Sequence, residues 1–473
     1  MKSQRDRSDL KAFFEPDSVA VFGSLREGFG LGYGVIRNLL QFGYSGKIYP
    51  VSPYQNGDVL GFKAYSAAND VTDPIEAAIV ITPPPTVPDI VEKCAQKGVK
   101  AVIIISENFA EAGGDGGRYQ KQMEDIVRRT GIRIIGPNTI GVFNPETGFV
   151  TNPYILVQDK IRVGGVAYCS QTGSVGLAAK PLEDHDYSVS KLCDIGNKCD
   201  VDESDVLNYL ADDPKTKVVA MHMENAKNGR RFIEAARRLT ARKPLLILKG
   251  GRSEAGAQAM ISHTASLAGN KQVYDGVIKQ VGALRLRSWE EYWEVPRVFN
   301  SQPLPRGNRV AIITGSGGLG VTVIDVAVQA GLVMAKFSPS TQKSLRELSP
   351  RLGGNPVDLG PVLSVAEDPF SMQRYIIETV LADKNVDCVS ASLYVGFEAL
   401  IPHIAATFQG IKQPAAKTIA VHLYGMRYAV LDEMLRQLEA LGFPTDRDFE
   451  LAVKSLGFAA RYSGIKTEVW HEF

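Results

Sequence analysis

Short runs that are apolar throughout, each closed by a turn of small residues and followed by a helix-period segment, recur along this chain. They are Ser18–Phe22, Lys47–Val51, Ala77–Thr82, Ala101–Ser106, Ile132–Gly136, Gly164–Ser170, Val189–Cys193, Lys217–Met223, Pro244–Lys249, Arg309–Thr314, Cys388–Tyr394 and Thr418–Leu423. A strand with one wet face alternates apolar and polar residues. These runs do not alternate, so both faces must be covered. The cover comes from the segments between them, such as Val87 to Lys97, where Val87, Ile90, Val91 and Cys94 share one side. This pattern restricts the chain to an α/β fold with parallel, doubly covered sheets, whose ligands sit at the carboxyl ends of the strands.

The runs group into three α/β domains, at about 1–150, 151–300 and 301–473, with a proline-bearing linker at Leu304–Asn308 before the third. In the first, the ligand edge is made of Gly23-Ser24, Ser52-Pro53, Thr82-Pro83, Ser106-Glu107-Asn108 and Gly136-Pro137-Asn138. The glycines after the first strand, Gly28, Gly30, Gly32 and Gly34, are spaced too far from it for a strict dinucleotide fingerprint, and the gap carries Arg26. No acidic residue closes the second strand to grip an adenine ribose, which argues against NAD. A nucleotide that bears phosphate but is not NAD fits better.

Two turns read as anion seats. Ser170-Gln171-Thr172-Gly173-Ser174 follows a strand and leads into a small-residue helix, and Gly315-Ser316-Gly317-Gly318-Leu319-Gly320 repeats the arrangement in the third domain. Helix starts of this kind present free N–H groups and a positive dipole end. Two of them suggest one phosphate held between two helix N-termini, one from each domain.

The glycine-rich turn Gly250–Gly256 runs on to Ser262-His263-Thr264-Ala265-Ser266-Leu267-Ala268-Gly269. His263 stands among small neighbours that leave room for a second molecule, and imidazole takes a phosphoryl group as readily as a proton. Glu224 ends a neighbouring strand. A carboxylate there could fix the imidazole tautomer and free the other nitrogen for attack. Asp194, also at a strand end, is a weaker candidate for that role. A structural histidine and a solvated glutamate are the alternatives on these residues alone. Asn355 and Asp358, beside an Asn-Pro turn, read as structural.

The formal net charge of +1 provides no basic field for nucleic acid. No run of 18 uncharged apolar residues is present, so no membrane span is expected, and Met1–Lys11 lacks the apolar core of a signal peptide. Five scattered cysteines suit a reducing, cytoplasmic setting. Cys193 and Cys199 have no matching second pair, so no metal site is expected.

In combination and order, several motifs carry a family likeness: Gly136-Pro137-Asn138-Thr139-Ile140-Gly141-Val142 with Asn144-Pro145; Ser170-Gln171-Thr172-Gly173; Gly196-Asn197 with Asp200-Val201-Asp202; Glu224 with Gly229-Arg230 and Phe232; Lys249-Gly250-Gly251-Arg252; Ser262-His263-Thr264 with Leu267-Ala268-Gly269; and Asn355-Pro356-Val357-Asp358. From about Phe14 to Tyr462 the chain resembles the alpha subunits of ADP-forming acetyl-CoA (acyl-CoA) synthetases, relatives of succinyl-CoA synthetase. The resemblance implies a Rossmann-like CoA-binding domain followed by two flavodoxin-like ligase domains. It makes His263 the phosphorylated histidine and Glu224 its orienting partner. It assigns CoA to Gly23, Ser24, Arg26, Gly30, Pro53, Thr82, Pro83, Pro84 and Asn138. Phosphate falls to Ser170–Ser174 and to Gly315, Ser316, Gly317, Gly318 and Gly320. The reaction implied is acyl-CoA, phosphate and ADP giving acid, CoA and ATP, reversibly, through an acyl phosphate and phosphohistidine.

No ATP-grasp domain is found in the chain, so the resemblance implies a separate beta subunit carrying ADP/ATP and Mg²⁺, in an α₂β₂ assembly. Ala265 where the family has glycine, Thr139 for cysteine, Asn108 for glycine and the uncommon Cys169 depart from the pattern and leave the acyl group open. A CoA- or acyl-CoA-binding regulatory or scaffold subunit without turnover is the competing reading. Retention of both His263 and Glu224 argues against it.

Overall fold

The computed structural model describes residues 10–471 except 56, 155, 157–160, 174–184, 252, 257, 259–270 and 415, with backbone alone at 465–471. The chain divides into two compact units, Met1–Glu183 with Ser188–Arg287, and Asp184–Tyr187 with Ser288–Phe473.

The first unit holds one parallel sheet and one that is parallel apart from an antiparallel edge. One is built from β1 (Ser18–Gly23), β2 (Lys47–Val51), β5 (Ala77–Ile81), β6 (Ala101–Ile104) and β7 (Arg133–Ile135), in the order β2-β1-β5-β6-β7; a small hairpin, β3 (Asp58–Val59) and β4 (Phe62–Lys63), stands apart. The other contains β8 (Val142–Asn144), β9 (Phe149–Val150), β10 (Val163–Ser170), β11 (Val189–Asp194), β12 (Val218–Met223), β13 (Leu245–Lys249) and β14 (Leu284–Leu286), in the order β14-β13-β12-β10-β11-β8-β9. The second unit has β15 (Arg309–Thr314), β16 (Val333–Met334), β17 (Val357–Asp358), β18 (Cys388–Tyr394), β19 (Thr418–Tyr424) and β20 (Thr445–Asp446), ordered β16-β15-β18-β19-β20 with β17 also on β15.

All three sheets follow one path. The first parallel strand lies between the second and the third, giving the flavodoxin-like order 2-1-3-4-5. The winding reverses between β1 and β5, between β10 and β12, and between β15 and β18. In sheets of this order ligands bind at such reversals, at the carboxyl ends of the strands.

The sheets of the first unit share one buried core. It runs from Val19, Val21 and Ile79 through Val142 and Phe149 to Cys169, Cys193, Met221 and Ile247. Residues 142–150 fall by sequence within 1–150, yet β8 pairs antiparallel with β11 (Leu192 opposite Phe143) and edges the second sheet. Burial of Val142 and Phe149 in the shared core accounts for this. Cys193 and Cys199 pack in separate cores.

The helix after β15 is Gly317–Gln329. The apolar run Val321–Ala330 by itself predicts a helix from Val321; the helix begins four residues earlier, so Gly317, Gly318 and Gly320 lie in its first turn. Ser316 precedes it without a side-chain cap.

Candidate active site

β10 and β12 are adjacent and parallel, with Cys169 opposite Met221. Their last residues deliver Ser170 and Gln171 on one side of the reversal and Glu224 on the other. Ser170 is buried, and its Oγ accepts the Thr172 N–H at 3.0 Å and donates to Thr172 O at 2.8 Å. This closes the turn tightly against the strand. Thr314 Oγ1 makes the same pair of bonds with Ser316, at 3.1 and 3.0 Å, in the second unit. The likeness of the two turns noted in the sequence is therefore a likeness of hydrogen bonding.

Gln171 Oε1 accepts the N–H groups of Glu224 (2.8 Å) and Asn225 (3.3 Å), while its Nε2 donates to Asn225 Oδ1 (3.3 Å). Glu224 is half-buried, and its Oε2 is shielded from solvent without a hydrogen-bond partner among the described residues. A buried carboxylate oxygen left in this state costs free energy unless a donor reaches it.

Gln171, Thr172, Gly173 and Glu224 line a cavity of about 620 Å³ together with Asn138, Asp194 and Lys198. Ile105, Glu107 and Asn108, from the carboxyl edge of the first sheet, complete one wall. Lys198 Nζ donates to Glu203 Oε2 (3.1 Å), Asn225 O (3.0 Å) and Asn225 Oδ1 (2.6 Å). Burial pushes this ammonium down, with Glu203 opposing.

Asp194 is engaged elsewhere than as an imidazole partner. Its Oδ2 accepts from Ile140 N (2.9 Å) and its Oδ1 from Gly196 N (3.1 Å), which ties the 137–141 turn to the turn after β11. Burial raises its carboxyl to about 6, against those same hydrogen bonds.

Of the residues assigned to CoA, Asn138 lines this cavity and the others do not. Gly23, Ser24, Arg26, Gly30, Pro53, Thr82, Pro83 and Pro84 stand at the carboxyl edge of the first sheet, after β1, β2 and β5. The Arg26 guanidinium lies 5.2 Å from the centre of the exposed Phe29 ring. The helix Leu31–Gln41 starts at Gly30 with no side-chain cap; the Tyr33 N–H is taken by Ser24 O (3.2 Å), which leaves the N–H groups of Leu31 and Gly32 for a ligand at the edge. Gly315–Gly320 belong to the second unit. His263 and Ser174 lie outside the described residues.

The sequence reading missed Lys198, Glu203 and Tyr274, which bond Asn225 O, Lys227 N–H and Ala226 N–H and so hold the turn after Glu224. Nothing local marks them, although Lys249 was already visible at a strand end.

The residues 17–145 match the CoA binding domain family, and 163–299 match the succinyl-CoA ligase like flavodoxin domain family. A CoA-binding sheet joined to a succinyl-CoA-ligase-like sheet defines an acyl-CoA ligase. The chain is 37% identical over 461 residues to acetate–CoA ligase [ADP-forming] II of Archaeoglobus fulgidus, covering 96% of this chain and 67% of that one. It is 36% identical to the alpha subunit of acetate–CoA ligase [ADP-forming] II of Pyrococcus furiosus, over 92% of this chain and 94% of that subunit. The structure of the Ca. Korarchaeum cryptofilum dinucleotide-forming acetyl-coenzyme A synthetase 1, in complex with phosphate and ADP, superposes with a TM-score of 0.87 at 26% identity, covering 98% of this chain and 99% of that one. The chain belongs to the family of ADP-forming acyl-CoA ligases, within the NDP-forming acyl-CoA synthetase superfamily, as an alpha-type chain.

Proposed function

We propose that this chain catalyses the acyl-transfer and phosphoryl-capture half of a reversible ligase reaction, in which acyl-CoA, phosphate and ADP give carboxylic acid, CoA and ATP. A phosphate oxygen attacks the thioester carbonyl, the C–S bond breaks, and CoA leaves as thiolate to take a proton. A nitrogen of His263 then attacks phosphorus in the acyl phosphate, and the carboxylate departs. The phosphoryl group finally passes from His263 to ADP, regenerating the imidazole. Glu224 accepts the N–H of the other ring nitrogen, which fixes the tautomer and stabilises the cationic ring as it forms.

The observation that carries this reading is the buried Oε2 of Glu224, without a hydrogen-bond partner among the described residues, at the reversal of the second sheet beside the Gln171–Gly173 turn. A ring N–H is the donor that such an oxygen lacks. The uncapped helix start at Gly30, with Arg26, suits the phosphates of CoA. Each of the turns Ser170–Ser174 and Gly315–Gly320 would offer a seat for phosphate.

A beta chain with an ATP-grasp fold would supply ADP and Mg²⁺, in an α₂β₂ enzyme. The designation of the P. furiosus relative as a subunit supports a multi-chain enzyme. Five buried cysteines, none in a disulfide, suit a cytoplasmic setting. Among the described residues no helix is long and apolar enough to cross a membrane.

The test is radioactive phosphate labelling of the chain, with magnesium and a panel of short acyl-CoAs, alone and with its partner. Acid-labile, alkali-stable label that needs acyl-CoA and vanishes in His263→Ala is the expected result. Absence of label with the partner present and CoA bound overturns the reading in favour of a binding subunit.

A further inference from the structure

The turn after β12 is held by side chains at four consecutive backbone N–H groups. Gln171 Oε1 takes those of Glu224 and Asn225, the Tyr274 hydroxyl takes that of Ala226 (3.1 Å), and Glu203 Oε1 takes that of Lys227 (2.9 Å). Tyr274 comes from the helix Lys271–Gln280. Its ring carries a further contact: the Lys249 ammonium rests 4.6 Å from the ring centre. Lys249 closes β13, is 4% exposed, and donates to Gly250 O at 2.6 Å. Gly250 lies close to Glu224, since a Cβ there would stand 3.7 Å from Glu224 Cγ and 3.4 Å from His222 Nε2.

We propose that Lys249 is a positioning residue for Glu224, acting through Tyr274: its ammonium fixes the ring, the ring fixes the hydroxyl, and the hydroxyl fixes the 224–227 turn that aims the carboxylate. This deepens the phosphohistidine reading and rests on it for its catalytic consequence. A cation seated on an aromatic face in a desolvated site is a strong orienting contact. The aiming of a carboxylate depends on how rigidly its own support is held.

Burial pushes the Lys249 ammonium down to about 8, with Glu224 opposing and the charges of Arg285 and Lys198 reinforcing the fall. Among the described residues the charged and titratable groups around it are Glu224, His222 (held down at about 4 by burial), Tyr274, Lys198 paired with Glu203, and Arg285 paired with Asp275. The contact with the ring therefore exists below about pH 8 and fades above it, as the proton leaves.

The experiment uses the full chain with its partner and follows two readouts against pH. One is the rate of phosphate labelling. The other is amide hydrogen exchange of residues 224–227, corrected for its intrinsic pH dependence. Lys249→Met removes the charge and keeps the stem. It is expected to slow labelling about tenfold, a misaiming-sized effect, and to speed exchange of the turn at every pH without raising the KM for CoA. Lys249→Arg restores a cation that does not titrate. It is expected to recover much of the rate and to abolish the alkaline fall near pH 8. Tyr274→Phe keeps ring and cation but loses the acceptor, so exchange at Ala226 speeds most. Unchanged exchange in Lys249→Met, or an alkaline fall that persists identically in Lys249→Arg, overturns the proposal. Absence of label in the wild type counts against the phosphohistidine reading, and the exchange data still decide this one.

Discussion

Gln171, the first residue after β10, accepts the backbone N–H of Glu224, the first residue after β12, at 2.8 Å. The bond spans the crevice where the second sheet reverses its winding. It ties the small-residue turn on one side to the carboxylate on the other, so neither can shift alone.

Replacing Gln171 by Ala removes the acceptor of two N–H groups. We expect kcat to fall about tenfold to a hundredfold, with the KM for CoA nearly constant, because the first-sheet edge is untouched. Gln171→Glu keeps an acceptor oxygen and is expected to fall between. Steady-state kinetics with the partner chain check both.

Gly173 has no room for a side chain. A Cβ would stand 2.9 Å from both Asp194 Oδ2 and Ile140 Cγ2, and the Asp194 carboxylate is anchored by two backbone N–H groups. Gly173→Ala is expected to cost about 1–3 kcal/mol of stability by overpacking, and to reduce phosphate labelling more than CoA binding. Denaturant unfolding and labelling, run together, separate the two effects.

A Cβ at Gly30 would overlap Ser24 O and crowd the Arg26 backbone. Gly30→Ala must therefore reshape the turn that opens the helix Leu31–Gln41. We expect CoA affinity to fall at least about tenfold, consistent with the loss of a helix-start phosphate contact. Calorimetric titration with CoA measures it.

Asp194 has a carboxyl raised by burial to about 6, above its ordinary 3.8. The folded state then holds a proton that the unfolded state has released, so its contribution to stability is greatest below about pH 4 and declines as pH rises through about 6. The decline amounts to about 3 kcal/mol. Asp194→Asn removes this slope while losing one backbone acceptor. Unfolding free energies at pH 4, 5, 6 and 7 for both proteins give the comparison.

In the second unit, the buried Arg297 guanidinium meets Glu294 (2.7 Å), Asp446 (3.2 Å) and Glu439. Glu439 also meets His185 (3.2 Å), and its Oε2 accepts the Asp186 N–H (2.6 Å). Arg297→Met leaves three carboxylates without their shared counter-charge. We expect a loss of about 3–5 kcal/mol, read as a lower thermal midpoint, with neutralising the pocket by a further Glu439→Gln returning part of it.

The strands and their ligand edge were legible because wholly apolar runs closed by glycine turns have few structural solutions. β2, β15 and β18 carry the ends read from sequence, and Glu224 directly follows β12 as expected. The start of Gly317–Gln329 was misjudged because glycines that suit a turn also suit a helix's first turn when the strand packs close behind. Tyr274 and Lys198 were invisible since their partners, Ala226 at 48 residues' separation and Asn225 at 27, lie on other elements.

The sequence by itself determined that the chain forms largely parallel sheets covered on both faces, and where the longer strands end to within a residue or two, hence which residues stand near those ends. Those properties follow from local patterning, which every turn and run carries within itself. Only the tertiary structure decided the order of the strands, and hence which ends are neighbours. The same runs would be equally apolar in any order, but the order 2-1-3-4-5 sets Gln171 beside Glu224 and lets one cavity take residues from both sheets of the first unit. The choice of order comes from long-range burial, above all the core that joins Val19 to Met221, and no local segment contains that information.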